Sequence, residues 1–254
     1  MFVDERPTLG YASLHQTIVR RRRPSPNADP DPIRSSPTDA GLAKMPLTPE
    51  ELQLAARRTL EHYDQRAEAF WEGTRDHDVS QNISALLQYI EAEPPFELLD
   101  FGCGPGRDLR TFKALGHHAT GLEGSAPLAA LARAHGGCDV LEQNFLALDL
   151  PRDHFDGVFA NAALFHIPSQ ALPAVLRELH KALKPNGVLF SSNPRGDGQE
   201  GWNGDRYGVF HDWENWRGYM TAAGFTELTH YYRPVGLPRE EQPWLASVWR
   251  KPVT

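Results

Sequence analysis

Leu98-Leu99-Asp100-Phe101-Gly102-Cys103-Gly104-Pro105-Gly106-Arg107 is an apolar run that enters a glycine-rich turn and leaves it as a helix. A strand–turn–helix of this kind aims backbone N–H groups and the positive end of the helix dipole at a bound ligand. Glycine lets that ligand come close to the backbone. Seventeen residues after Gly106, at the end of the next apolar run, stands Glu123. A carboxylate there can accept both hydroxyls of a ribose, so turn and acid together read as a nucleoside pocket. Taken by itself, the turn also has a plain packing reading. A dinucleotide fingerprint, G-x-G-x-x-G, would place its third glycine at position 107, where this chain has Arg107 and instead runs G-x-G-x-G. Asp100, just before the turn, would repel a pyrophosphate and suits a cationic group.

Downstream of the turn, short apolar strands alternate with helices. Strands are expected at Glu97–Phe101, His118–Leu122, Asp139–Phe145, Phe155–Ala160 and Val188–Ser192. Helices are expected at Leu109–Leu115, after a Ser125 cap until Gly136-Gly137, and between Ser169 and Leu183. Lys184-Pro185-Asn186-Gly187 makes the turn into the strand at Val188. Strand starts at intervals of ~20–30 residues with helices between are the signature of βαβ units and a parallel sheet. Residues 193–208 read as a Gly/Asn/Arg loop, followed by a helix at Asp212–Ala223. Two strands, Phe225–Arg233 and Trp244–Arg250, then follow with no helix between them and imply an antiparallel pair.

Upstream, Thr48-Pro49-Glu50-Glu51 has capping-box spacing with proline at the first helical position. Leu52, Ala56, Leu60, Tyr63, Ala67 and Phe70 continue at helical spacing, predicting one long helix to about Trp71. A second helix runs from a Ser80 cap through Ile83, Leu86, Leu87 and Ile90 until Pro94-Pro95.

The remaining composition limits what such a domain does. The 254 residues carry a net charge of −7, yet residues 1–46 alone carry +2 and seven of the 21 prolines. Those 46 residues read as a disordered Pro/Arg-rich leader. The remaining chain, at −9, lacks the basic face that a nucleic-acid binder needs. Two cysteines make neither a disulfide framework nor a four-thiolate zinc site. No CxxC or HExxH pattern supports a metal site, and no apolar run suffices for a membrane span. The expected protein is a cytoplasmic enzyme without nucleic-acid or membrane partners, a monomer or homodimer.

Four motifs in order give the chain a resemblance to class I S-adenosylmethionine-dependent methyltransferases, particularly the small-molecule group of the ubiquinone-biosynthesis type. Asp100 to Gly106 is similar to the first motif and Glu123 to the ribose-binding acid. Phe155 to His166 resembles the fourth-strand signature, and Val175 to Phe190 the helix-to-fifth-strand motif. The resemblance implies a Rossmann-like, doubly wound α/β fold. Its sheet would be mostly parallel and seven-stranded, with an antiparallel last strand and helices on both faces. Residues 47–254 would form the methyltransferase domain, with 47–95 as cap helices and 96–254 as the core. It further implies that S-adenosyl-L-methionine is bound by Tyr63, Asp100, Gly102, Cys103, Gly104, Glu123, Gly124, Asn144, Phe145 and Asn161. Asn144 stands where the family often has aspartate, and its amide oxygen would accept from the adenine amine.

Methyl transfer to a small metabolite needs alignment above all, and a base only where the nucleophile carries a proton near neutral pH. His166, just past the fourth strand, is the candidate base, with a structural histidine as the alternative. Arg195, Trp202, Tyr207 and His211 are candidate substrate contacts, a set that would suit a small acid or a planar heterocycle. The acceptor atom, N, O or S, stays open. An NAD(P)-dependent oxidoreductase and a non-catalytic cofactor-binding module are the competing readings.

Overall fold

The computed structural model describes residues 46–253. The leader expected at 1–46 lies, but for Pro46, outside the described residues. A seven-stranded sheet organises the rest, in the order β3-β2-β1-β4-β5-β9-β8. Its strands are β1 (Glu97–Phe101), β2 (His118–Glu123), β3 (Val140–Glu142), β4 (Phe155–Asn161), β5 (Leu183–Pro194), β8 (Thr226–Arg233) and β9 (Trp244–Arg250). Six run parallel, and β9 lies antiparallel between β5 and β8.

β1 is paired at both edges, with β2 and β4, and helices cover both of its faces, so its buried positions are mostly apolar. Leu99 and Phe101 enter the core shared with α6 (Leu172–Ala182) and α7 (Trp213–Ala222). Leu98 enters the opposite core, with α3 (Ser80–Leu87) and Phe112 of α4 (Arg107–Ala114). α5 (Ala126–Gly136) packs beside α4 through Ala129, Ala132 and Leu109. Helices therefore cover both faces. The chain winds outward from β1 through β2 to β3, then returns to β4 on the other side. This reversal opens a crevice at the carboxyl ends of β1 and β4, where open α/β sheets bind ligands.

Several expectations change in detail. The helix expected to reach Trp71 is two, α1 (Pro49–Asp64) and α2 (Ala67–Thr74), broken where Arg66 leaves helical geometry. Apolar periodicity runs through the break, with Leu60 of α1 over Gly124 and Phe70 of α2 over Gly104. α3 ends at Leu87, with Tyr89 and Ile90 in following turns. The third strand shrinks to three residues. β5 starts already at Leu183, which pairs with Phe155 before residues 184–187 bulge out around Asn186 at φ 64°.

The largest correction concerns residues 193–208. Most of this expected loop belongs to a hairpin, β6 (Gln199–Asn203) and β7 (Arg206–Phe210), joined by Gly204-Asp205. A two-residue turn with glycine at φ 61° is a standard hairpin connection. Asp156 is structural: it accepts from the Glu97 N–H at 2.8 Å and from Lys184 Nζ at 2.9 Å.

Candidate cofactor and substrate site

The glycine turn is pinned to β2, since both Gly102 N–H and Cys103 N–H donate to Leu122 O. Its three glycines all have positive φ, 72°, 51° and 88°. Two are also packing requirements. A Cβ at position 102 would stand 2.5 Å from Ala163 Cβ, and one at 106 would stand 2.8 Å from the Ala132 backbone. At Gly104 the nearest atom to such a Cβ is Phe70 Cε1, at 3.4 Å. Its exposed-backbone face is therefore covered by a side chain of α2 rather than by backbone. Cys103 turns its side chain into the α4–α5 core, where burial pushes its thiol pKa up. Only the backbone of Cys103 remains at the turn.

Glu123 closes the turn from β2. Its carboxylate accepts from Gly104 N–H at 3.0 Å and from Ser125 N–H at 2.9 Å. Burial raises its pKa, and these backbone bonds oppose the rise. Asp100 is 2% exposed, and its Oδ2 has no hydrogen-bond partner. Burial first, and the neighbouring Asp108 charge second, push its carboxyl well above the ordinary range. Arg107 does not neutralise it directly, because its guanidinium chelates Asp108 at 2.7 and 2.8 Å and donates to Thr74 O. An orphaned buried carboxyl oxygen beside a glycine turn is matched by a cationic ligand group. The cationic arm of a sulfonium cofactor fits these acceptors.

The remaining cofactor candidates surround the same turn. Phe145 stacks obliquely on Phe101 at 4.4 Å, and its Cζ lies 3.3 Å from the Cβ position of residue 102. Gly124 is covered by Leu60 of α1. Tyr63 packs edge-on to Phe70 at 5.4 Å. Asn144 turns its Oδ1 onto Leu146 N–H at 2.9 Å, which leaves one lone pair for an adenine amine. Asn161 is tied to α3: its Oδ1 accepts from Asn82 Nδ2 at 2.9 Å, and Asn82 in turn accepts from Tyr231 OH.

His166 sits in a single 3₁₀ turn after β4. Its Nδ1 is 2.8 Å from Tyr207 O and its Nε2 2.8 Å from Tyr63 OH. A carbonyl only accepts, so Nδ1 carries the proton and Nε2 accepts from the Tyr63 hydroxyl. Burial, with Arg206 and His62 nearby, lowers its pKa to about 4. The lone pair a general base would use is already engaged by Tyr63.

The substrate candidates separate. Arg195 is engaged by backbone, donating to Gln242 O at 3.1 Å and Arg239 O at 2.8 Å. It clamps the segment between β8 and β9. Trp202 is at the rim, with Arg58 over its ring at 4.4 Å. Tyr207 is buried, and its hydroxyl donates to Glu200 at 2.8 Å. His211 is buried against Trp216 and Tyr219, with an unpartnered Nε2. Glu200 was absent from the sequence reading, yet it also accepts from the Ser169 N–H and hydroxyl. The alternation of a hairpin, had it been read at residues 199–210, would have put Glu200 and Tyr207 within reach of each other. Phe70 was legible only as a core position. Among the described residues no group of three or more His, Cys, Asp or Glu side chains could hold a metal ion. No described helix is long and apolar enough to cross a membrane.

Comparison with known proteins finds likeness to methyltransferases. A family model described as a methyltransferase domain matches residues 98–187. A rice 24-methylenesterol C-methyltransferase is 34% identical over 128 residues, covering 47% of this chain and 33% of the relative. A malonyl-[acyl-carrier protein] O-methyltransferase of Enterobacter lignolyticus is 30% identical over 145 residues, covering 57% and 53%. The chain thus spans about a third to a half of the curated relatives it matches. A solved structure of Burkholderia thailandensis 1,6-didemethyltoxoflavin-N1-methyltransferase, bound to its acceptor and S-adenosylhomocysteine, superposes with a TM-score of 0.65. It covers 83% of this chain and 94% of that one, at 24% identity.

Proposed function

We propose that the chain, whose residues 98–187 match a methyltransferase-domain model, is a class I S-adenosylmethionine-dependent methyltransferase that methylates a small-molecule metabolite. The observation that carries the reading is the Glu123 carboxylate held beside Gly104 and Ser125, next to the orphaned oxygen of Asp100. When bound, the cofactor supplies a methyl group already activated on a sulfonium. The chain's own work is then to bind, align and exclude water. Glu123 takes the ribose hydroxyls, Asp100 faces the cationic arm, and Phe145 and Asn144 flank the adenine. Gly102, Gly104, Gly124, Asn161 and the Cys103 backbone shape the walls. Tyr63 and Phe70 cover the turn, and His166 holds the Tyr63 hydroxyl in place rather than removing a proton.

The relatives methylate carbon, oxygen or nitrogen by their names, which adds carbon to the N, O and S acceptors expected from sequence. Residues 47–254 form the catalytic domain in this reading, with 47–95 as its cap. Two free cysteines, one of them buried, fit a reducing cytoplasm. A monomer or homodimer acting without nucleic acid or membrane suits the acidic surface.

Calorimetry with S-adenosylhomocysteine and with NAD(P) tests the cofactor. Binding of the former alone is expected, and Glu123→Ala should weaken it by about 1–3 kcal/mol, the scale of hydrogen bonds lost to a charged group. Binding of NAD(P) alone would instead establish the oxidoreductase. Incubation with methyl-labelled cofactor and a metabolite extract then reads out the acceptor. Tight cofactor binding without any labelled product would leave a non-catalytic module.

A further inference from the structure

At the carboxyl end of β5 the molecule buries polar groups that it does not satisfy. Asn193 is 2% exposed, and neither its Oδ1 nor its Nδ2 has a partner. His211 is 4% exposed, and its Nε2 is equally without one. A buried amide with both ends unpaired is costly and rare in folded proteins, so this spot calls for a ligand that pairs with it.

The two side chains share one sector. Ser191 hydrogen-bonds Ser247, to which the Trp216 indole N–H also donates. Asn193 follows two residues later on the same face of β5. The His211 ring stands 5.7 Å from that of Trp216, and its carbonyl accepts from Gly196 N–H. The sector also lies on the reaction side of the sheet. Asp100 pairs with Phe159 and Asn161 with Ser192. Asn193 therefore stands just beyond the level of the glycine turn and two strands over, on the order of 10 Å away.

The charge around the sector selects the ligand. Arg195, the cation nearest in sequence, is committed to the carbonyls of Gln242 and Arg239. The charges acting on His211 are acidic, Glu200 and Asp212, and Glu200 is engaged by Ser169 and Tyr207. Nothing here invites an anion. An amide offers one acceptor and two donors, and an imidazole nitrogen offers one more position.

Resting on the methyltransferase reading above, we propose that Asn193 and His211 form the subsite that recognises the methyl acceptor. Its ligand is the uncharged amide-like edge of a planar heterocycle, a ring N–H beside a ring C=O. Burial keeps the His211 imidazole neutral, with a pKa lowered to about 4, as such a ligand requires.

Calorimetry on the full chain tests this. The protein is first saturated with S-adenosylhomocysteine, then titrated with 2-pyridone, uracil and lumazine, and with benzoate and benzylamine as charged planar controls. At least one heterocycle should bind and both charged rings should not. Asn193→Ala and His211→Phe, the latter keeping an aromatic ring against Trp216, should each weaken heterocycle binding about tenfold or more. Asn193→Leu keeps the approximate side-chain shape but loses the acceptor and both donors, and should weaken it similarly without lowering the melting temperature. Affinity for S-adenosylhomocysteine should stay within about twofold in all three. The subsite is refuted if only the charged rings bind, if no probe binds the loaded protein, or if the folded variants bind heterocycles as tightly as the parent. Absence of S-adenosylhomocysteine binding in the first titration would be a different failure, that of the cofactor reading itself.

Discussion

The Tyr63 hydroxyl, the His166 imidazole and the Tyr207 carbonyl form one hydrogen-bonded line, and its polarity can be tested by pH. Because the folded-state pKa of His166 is lowered to about 4, the unfolded chain takes up a proton near pH 6.5 that the folded one refuses. The contribution of His166 is therefore fully present above pH 6.5 and is lost as pH falls towards 4. The stability difference between the protein and His166→Gln, from urea unfolding at pH 7.5, 6 and 4.5, should shrink along that series. A constant difference would show that His166 titrates alike in both states. A base at His166 would also put an acidic limb in the rate profile near its folded-state pKa of about 4 and make His166→Gln nearly inactive, whereas a positioning residue leaves much of the rate in that variant. Asp100 behaves in the opposite sense. Its raised pKa means that a cationic ligand, by favouring the carboxylate, releases a proton on binding. Calorimetry in buffers of different ionisation enthalpy should detect that proton, and Asp100→Asn should abolish it while weakening cofactor binding about tenfold or more. At this scale the sequence foretold geometry where a motif fixed the backbone: Gly102 and Gly104 take positive φ, and Glu123 reaches the turn. It was not legible for Arg195, whose spacing says nothing of which carbonyls its side chain will find.

Elements position these residues in pairs, and the pairs explain which boundaries could be read. β1 and the turn after it were legible to the residue, because a doubly buried strand and a glycine-forced turn leave few alternatives. The hairpin β6–β7 was not. Gly201 and Gly208 dilute its alternation, and β7 is buried at four successive positions, Tyr207 to Phe210, so no exposed face marks it. It is held instead by α1: Tyr207 N–H donates to Thr59 Oγ1 at 2.9 Å, and Ala55 packs with Tyr207 and Val209. Thr59→Val keeps the shape and leaves that buried N–H unpaired, at a cost of about 1–3 kcal/mol. Hydrogen exchange should quicken across residues 199–210 while β1 and β4 stay protected. At the other side of the crevice, Gly106→Ala forces a side chain at φ 88° and 2.8 Å from the Ala132 backbone. A loss of about 2 kcal/mol or more is expected, read as a lowered denaturation midpoint, since α4 and α5 must separate to admit the methyl group.

The whole molecule sets a rigid sheet beneath a cover assembled from separate pieces of chain. The doubly wound, mostly parallel sheet was foreseeable, because alternating strands and helices allow few right-handed windings. The cover was harder to foresee, since α1, α2 and β7 meet through single contacts of high sequence separation, such as Thr59 to Tyr207 and Tyr63 to His166. These contacts converge on the glycine turn, where Phe70 lies over Gly104 and Leu60 over Gly124. A ligand seated there binds the cover and the sheet together, so it must stabilise the cover most. At a hundredfold excess over its dissociation constant, S-adenosylhomocysteine should raise unfolding free energy by about 2.7 kcal/mol. For a domain of this size that is on the order of 5–10 °C in melting temperature. Exchange protection should appear in α1, α2 and the hairpin, because the sheet is already closed without ligand. Equal protection everywhere would mean that the cover does not open separately. Protection confined to β8 and β9 would place the ligand elsewhere. With Thr59→Val the ligand should restore much of the lost protection at residues 199–210, because binding to the cover pays part of the ordering that the missing hydrogen bond no longer provides. A variant hairpin that stays fast-exchanging under saturating ligand would show that α1 and the cofactor site are not coupled.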